Sequence, residues 1–188
     1  MKKLVIALMA FALVITLAGC GGGGGGGGEY VSPKIGTYNG LKESDDFAND
    51  DQGKIIKNEM NEMSADFASS SVSVNNKTNT LKKYVSDSFC RGNEQNLKDD
   101  LIDTMSSRFD RYIVNEWGFK VTYFTKDSNT QITTRCSIRL NLVLKEGKTG
   151  SVTKWNDAIL DRDIVWVKEG NDWKMKSGFP YDRNKDSI

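Results

Sequence analysis

At Trp117 the spacing of apolar residues changes from about 3.6 to 2, which divides the chain into a helical half followed by a stranded half. Upstream, Ile56, Met60, Met63 and Phe67 recur at intervals of four, three and four, and predict a helix from Gly53 to Ser70, stopped by Ser69-Ser70-Ser71. A shorter helix is expected from Asn79 or Thr80, either of which can cap it, to Phe89, with Leu81, Tyr84, Val85 and Phe89 along one side. Gly92 breaks the chain. A third helix, capped by Asn93, runs from about Gln95 to Val114, where Leu97, Leu101, Ile102, Met105, Phe109, Tyr112 and Ile113 make a wide apolar face.

Downstream, Phe119, Val121 and Tyr123 alternate with Lys120 and Thr122 as a first strand. The next strand carries Ile132, Thr134, Cys136, Ile138, Leu140, Leu142 and Leu144 on one face and Thr133, Arg135, Ser137, Arg139, Asn141 and Lys145 on the other. Fourteen residues at about 3.3 Å each span about 46 Å, so this strand is expected to bend or bulge. After the turn at Glu146 to Gly150, a strand with Ile159, Leu160, Ile164, Val165, Trp166 and Val167 is apolar on both sides, as an interior strand is. Glu169-Gly170-Asn171-Asp172 is a hairpin signal, and Trp173 and Met175 alternate with Lys174 and Lys176 in the last strand. Three N-terminal helices packed on a curved four-stranded antiparallel sheet make an α+β domain over residues 52–181, closed at Pro180, with a frayed charged tail at 182–188.

Ahead of the domain, Lys2 and Lys3 precede an apolar run from Leu4 to Leu17, too short to span a bilayer comfortably, and then Ala18, Gly19 and Cys20. Leu17-Ala18-Gly19-Cys20 resembles the lipobox of bacterial lipoproteins. That resemblance implies a signal peptide over residues 1–19 and a mature chain anchored to the membrane through diacylglycerol and an acyl chain, such as palmitate, on Cys20. With Gly21 rather than aspartate next, it also implies an outer-membrane address facing the periplasm. Gly21 to Gly28 and the polar stretch after them show neither helical nor strand periodicity, so residues 20–51 read as a tether. A glycine tract cradles phosphate only where it joins a strand to a helix, and this one does not. From Gly21 to Asp50 a flexible chain reaches about 30 Å on average.

Composition narrows the chemistry. There is no histidine, which removes the usual neutral-pH base, the usual zinc ligand and the usual nucleophile triad. Of 26 basic groups, Lys2 and Lys3 leave with the signal, so 24 face 25 acidic groups, and no excess remains to neutralise nucleic-acid phosphates. Besides Cys20 there are only Cys90 and Cys136, too few for a metal cluster, and neither a metal nor a cofactor is expected. In an exported chain those two can pair as a disulfide or remain two buried thiols. Trp155, flanked by Thr153, Lys154, Asn156 and Asp157, is either an exposed anchor for a partner or packing at a sheet edge.

The segment Ile164-Val165-Trp166-Val167-Lys168-Glu169-Gly170-Asn171-Asp172-Trp173-Lys174-Met175 resembles the final hairpin of the nuclear transport factor 2-like (SnoaL-like, cystatin-like cone) superfamily, and the element order from about residue 52 to 180 is similar. The resemblance implies a cone of helices wrapped by a bent sheet, a scaffold that serves isomerases, cyclases and non-catalytic binding modules alike. Two departures stand out: only Cys90 to Asn96 is available where enzymatic members place a short hairpin, and the histidine of cyclase-like members is missing. No catalytic residue is carried over. A carboxylate base with a tyrosine donor is the remaining enzymatic route, with tyrosines at Tyr84, Tyr112 and Tyr123, and with Asp161 and Asp163 aimed inward if their strand face is the covered one. The expectation is an envelope lipoprotein whose cone binds a small apolar ligand or an envelope protein. An isomerase- or cyclase-like enzyme and a purely structural envelope domain are the alternatives.

Overall fold

The structure, a computed structural model, describes residues 42–150 and 158–180. Its helices are α1 (Asp45–Asn49), α2 (Asp51–Ala68), α3 (Val74–Tyr84) and α4 (Lys98–Arg111). Its strands are β1 (Tyr112–Ser128), β2 (Gln131–Leu144), β3 (Ala158–Glu169) and β4 (Asp172–Ser177). The sheet is antiparallel throughout in the order β1-β2-β3-β4, which leaves β1 and β4 as its edges. The helices bury Ile56, Met60, Met63, Phe67, Leu81, Leu101, Met105 and Phe109 against one face of it. The α+β class and the four-stranded curled sheet stand as expected.

The helical half differs in three places. Among the described residues there are four helices rather than three, because α1 forms within the stretch expected to be tether as far as residue 51. Ser44 caps it, its hydroxyl accepting from the Phe47 amide at 3.4 Å, and Phe47 is fully buried with its ring 5.5 Å from that of Phe124. Asp50 then ends α1 and caps α2, accepting from the Gln52 and Gly53 amides at 2.9 and 3.1 Å. Gly53 is what lets the two helices meet, since a Cβ there would run into the Phe47 carbonyl oxygen.

Second, Ser73 rather than Asn79 or Thr80 caps α3, accepting from the Asn76 amide at 3.2 Å, and the helix stops at Tyr84. Phe89 is buried from the loop beyond, after Val85 has bridged to Met175. Third, α4 starts at Lys98 with no side-chain cap; Asn93 falls in the turn closed by Arg91 and Glu94. Tyr112, Ile113 and Val114, expected to finish that helix, open β1 by pairing with Leu144, Val143 and Leu142. Aromatic and β-branched residues favour a pleated strand, and these three had strand partners available.

The C-terminal ends of α2 and α4 are both covered by lysine ammonium groups, where cations suit the helix dipole. Lys77 Nζ donates to the Phe67 carbonyl and Lys145 Nζ to the Phe109 carbonyl, each at 2.8 Å. Burial pushes the Lys77 ammonium down to about 8, and neighbouring Lys145 pushes the same way.

In the stranded half, β2 has the expected inward face, with Ile132, Thr134, Cys136, Ile138 and Leu140 all buried. The bend falls on its partner instead. Register shifts at Val114/Glu116, Val121/Tyr123 and Lys126/Ser128 each leave an extra residue on β1, whereas β2 pairs with β3 without interruption from Gln131↔Val167 to Leu140↔Ala158. The hairpin from β3 to β4 turns at Gly170, whose φ of 64° lies in the left-handed region that glycine enters without a steric cost. Trp173 and Met175 point inward as expected.

Cys90 and Cys136 are free thiols. Cys136 is fully buried in mid-β2, while Cys90 donates its amide to Lys176 at the outer edge of β4, so β3 and β4 lie between them. Strand spacings of about 4.8 Å put that separation beyond the roughly 7 Å limit for a disulfide. Cys20 and Trp155 lie outside the described residues.

Candidate functional site: a groove at the open edge of the sheet

Among the described residues the inside of the cone is packed with aromatic side chains. Trp117 stacks on Phe179 at 5.4 Å and meets Phe67 edge-on at 5.2 Å, and Phe67 lies 4.9 Å from Phe109. The space left beside them, lined by Met105, Arg108, Phe109, Tyr112, Val114 and Trp117, is about 10 Å³, no more than one water would need. The polar inward position Thr134 is absorbed into the core: its hydroxyl accepts from Trp166 Nε1 at 3.0 Å and sits 3.4 Å from the Cys136 sulfur. Burial pushes the Cys136 thiol up to about 12, so it stays protonated and unreactive.

Asp161 and Asp163 face away from the cone, because the covered face of β3 is the one carrying Ile164 and Trp166. Asp163 takes both arms of the Arg135 fork at 2.7 and 2.9 Å, and that guanidinium holds its carboxyl below the usual range. Asp161 accepts from the Ser137 hydroxyl. Of the tyrosines, Tyr112 is buried, Tyr123 is exposed on the outer face, and Tyr84 donates to Glu62.

A carboxylate beside one of these tyrosines does occur, on α2, where the sequence pattern singled out no carboxylate. Glu59 on α2 is packed against the β4 hairpin, where burial pushes its carboxyl up to about 7; the Trp173 amide opposes that shift and the nearby carboxylate of Asp172 adds to it. Its Oε2 is buried without a hydrogen-bond partner. One turn on, Glu62 accepts from Lys83 at 3.0 Å and from Tyr84, whose hydroxyl is pushed up to about 12 by burial and then by that bond. Neither cavity reaches Glu59, Glu62 or Tyr84.

The larger cavity is elsewhere, a groove of about 310 Å³ between α1, α2 and the free edge of β1. Phe47, Met60, Phe119 and Val121 give it an apolar floor, and Glu43, Lys57, Asn61 and Lys120 a polar rim. Lys57 Nζ closes on Glu43 at 2.5 Å across part of the mouth. On α2, Met60 belongs to the buried stripe, while half-buried Lys57 and Asn61 lie beside it toward solvent. Sequence reasoning placed Met60 in the core and missed the groove because its other wall, α1, lay in assumed tether. The readable signal was Ser44 and Asp50 bracketing an apolar Phe47.

Among the described residues no group of three or more histidine, cysteine or acidic side chains could hold a metal ion, and no helix is long and apolar enough to cross a membrane. No protein-family model and no curated protein matches the chain. Among solved structures, a designed nuclear transport factor 2-like protein is similar at a TM-score of 0.43 and 12% identity, over 70% of this chain and 96% of that one.

Proposed function

We propose that this chain is a lipid-tethered envelope protein with a non-catalytic binding domain of the nuclear transport factor 2-like kind, and that it binds through the groove beside β1 rather than through its cone. The anchor rests on Leu17-Ala18-Gly19-Cys20, and the family on the order of helices first and an antiparallel meander after them. The observation that carries the binding reading is the contrast between the two cavities, about 310 Å³ at the sheet edge against about 10 Å³ in the cone. The first falls in the size range of ligand sites and the second is no larger than one water needs. A mixed lining at an open strand edge suits a protein segment or an amphipathic molecule better than a purely apolar one.

The test is a photo-crosslinking residue placed at Asn61 on the groove rim, with one at exposed Lys168 as control, in cells that carry the anchored protein. A discrete adduct at Asn61, absent at Lys168 and lost on Lys57→Glu without a change in melting temperature, is expected. Equal adducts at both positions count against the groove.

Glu59 supports a second reading, an enzyme with a carboxylate base, because a carboxyl near 7 is poised for proton transfer at neutral pH. Turnover of any ketone, ester or epoxide that Glu59→Gln abolishes would favour it.

A further inference from the structure

β1 is an edge strand, and unprotected edges invite pairing. In an antiparallel sheet a residue turns its N–H and C=O to the same side, so alternate residues of an edge strand point both groups away from the neighbouring strand. The Val121 carbonyl fixes which residues these are, because it accepts from the Ser44 amide at 2.9 Å on the side away from β2. Pairing with β2 is unbroken from Glu116 to Val121, so the Val121 N–H and both backbone groups of Phe119 face the free edge too. Among the described residues nothing bonds these three groups, and Lys42 and Glu43 add no rung to the one that Ser44 makes.

The groove opens at the same place. Phe119 and Val121 belong to its floor, and Lys120 between them reaches its rim. Glu43 on that rim is held by Lys57 at 2.5 Å, whereas no described carboxylate pairs with Lys120, so the rim keeps a positive charge. An alkyl chain would fill the apolar floor and leave the three backbone groups unmet. An extended peptide meets them as well as the floor.

We propose that an extended segment of another protein adds to the free edge of β1 at Phe119, with an apolar residue in the groove and an acidic neighbour on Lys120. The pattern follows from the pleat. In either strand direction, the incoming residue level with Phe119 points to the face that Phe119 occupies, over Met60, and the one level with Lys120 points to the other face, beside the lysine side chain. This rests on the reading of the groove as a binding site and names the class of its ligand, a strand in which an apolar residue adjoins aspartate or glutamate.

Amide hydrogen exchange on the full chain tests the proposal, with the peptide acetyl-Thr-Thr-Leu-Asp-Thr-Thr-amide as probe at about 1 mM. The Phe119 and Val121 amides are expected to exchange about tenfold or more slowly with the peptide than without it. Methylating the leucine and aspartate nitrogens of the peptide should abolish that protection, since the backbone donors are lost. Lysine in place of the peptide's aspartate should weaken it in wild type and strengthen it in Lys120→Glu. No protection by the peptide, protection that survives the methylation, or equal protection by dodecanoate overturns the proposal. The crosslinking at Asn61 is read independently: an adduct there without protection here strikes the added strand and leaves the groove, and loss of both strikes the groove itself.

Discussion

Glu59 is the residue at which pH should be felt most. Its folded carboxyl lies near 7 against an ordinary 4.5, so between those values the folded protein holds a proton that the unfolded chain has released. The stability it contributes is full below about 4.5 and is lost as pH rises through about 7. Replacement by glutamine keeps the shape and removes the ionisation. Glu59→Gln is therefore expected to melt as wild type does at pH 4.5 and higher than wild type at pH 8, by scanning calorimetry at both values. An unchanged difference across that range would mean that water relieves the carboxylate. This residue was not legible in the sequence, where it is one acidic position on the border of a helix stripe; its shift comes first from burial, which only the folded chain imposes.

At the scale of elements, legibility followed periodicity. β2, β4 and the buried stripe of α2 were readable because alternation or 3.6-residue spacing ran long enough to leave one reading. α1 was not, because five residues carry no period and only its caps mark it. The junction at Tyr112 was misplaced because Tyr-Ile-Val fits either the last turn of an apolar helix or a strand, and the choice was made by partners on β2. Asp50 holds the α1–α2 corner together: it caps α2 and pairs with Lys126 on β1. Burial opposes its ionisation, but Lys126 and the Gly53 and Gln52 amides win and hold its carboxyl below the ordinary range. Asp50→Ala should cost about 1–2 kcal/mol in urea unfolding at neutral pH, since the cap is lost. A loss that also empties the groove of its α1 wall would appear as faster exchange at Ser44. If stability at neutral pH did not change, the cap would be ornamental.

For the molecule as a whole, the order of helices then strands and the wrapped sheet could be read in advance, and the filling of the cone could not. Alternation assigns Ile138, Leu140 and Trp173 to the inside without saying whether they meet one another or leave room. The closing of the interior by Trp117, Phe67, Phe109 and Phe179 joins residues from both ends of the domain. The address is tested separately: Cys20→Ala is expected to move the protein from the detergent-extracted membrane fraction to the soluble one, because the two or three acyl chains that the lipobox resemblance implies contribute about 0.8 kcal/mol per buried methylene. Retention of the variant at wild-type levels would remove the lipid anchor from the account.

Binding at the sheet edge, beside a packed cone, is the central claim, and two methionines report on the two places. Met60 lines the groove and Met105 the residual gap in the cone. With the methionine methyl groups carbon-13 labelled, spectra of the anchored protein before and after addition of envelope extract should show the Met60 signal shift or broaden while Met105 stays fixed. A shift of Met105 with Met60 unmoved would place the ligand inside the cone and contradict the account.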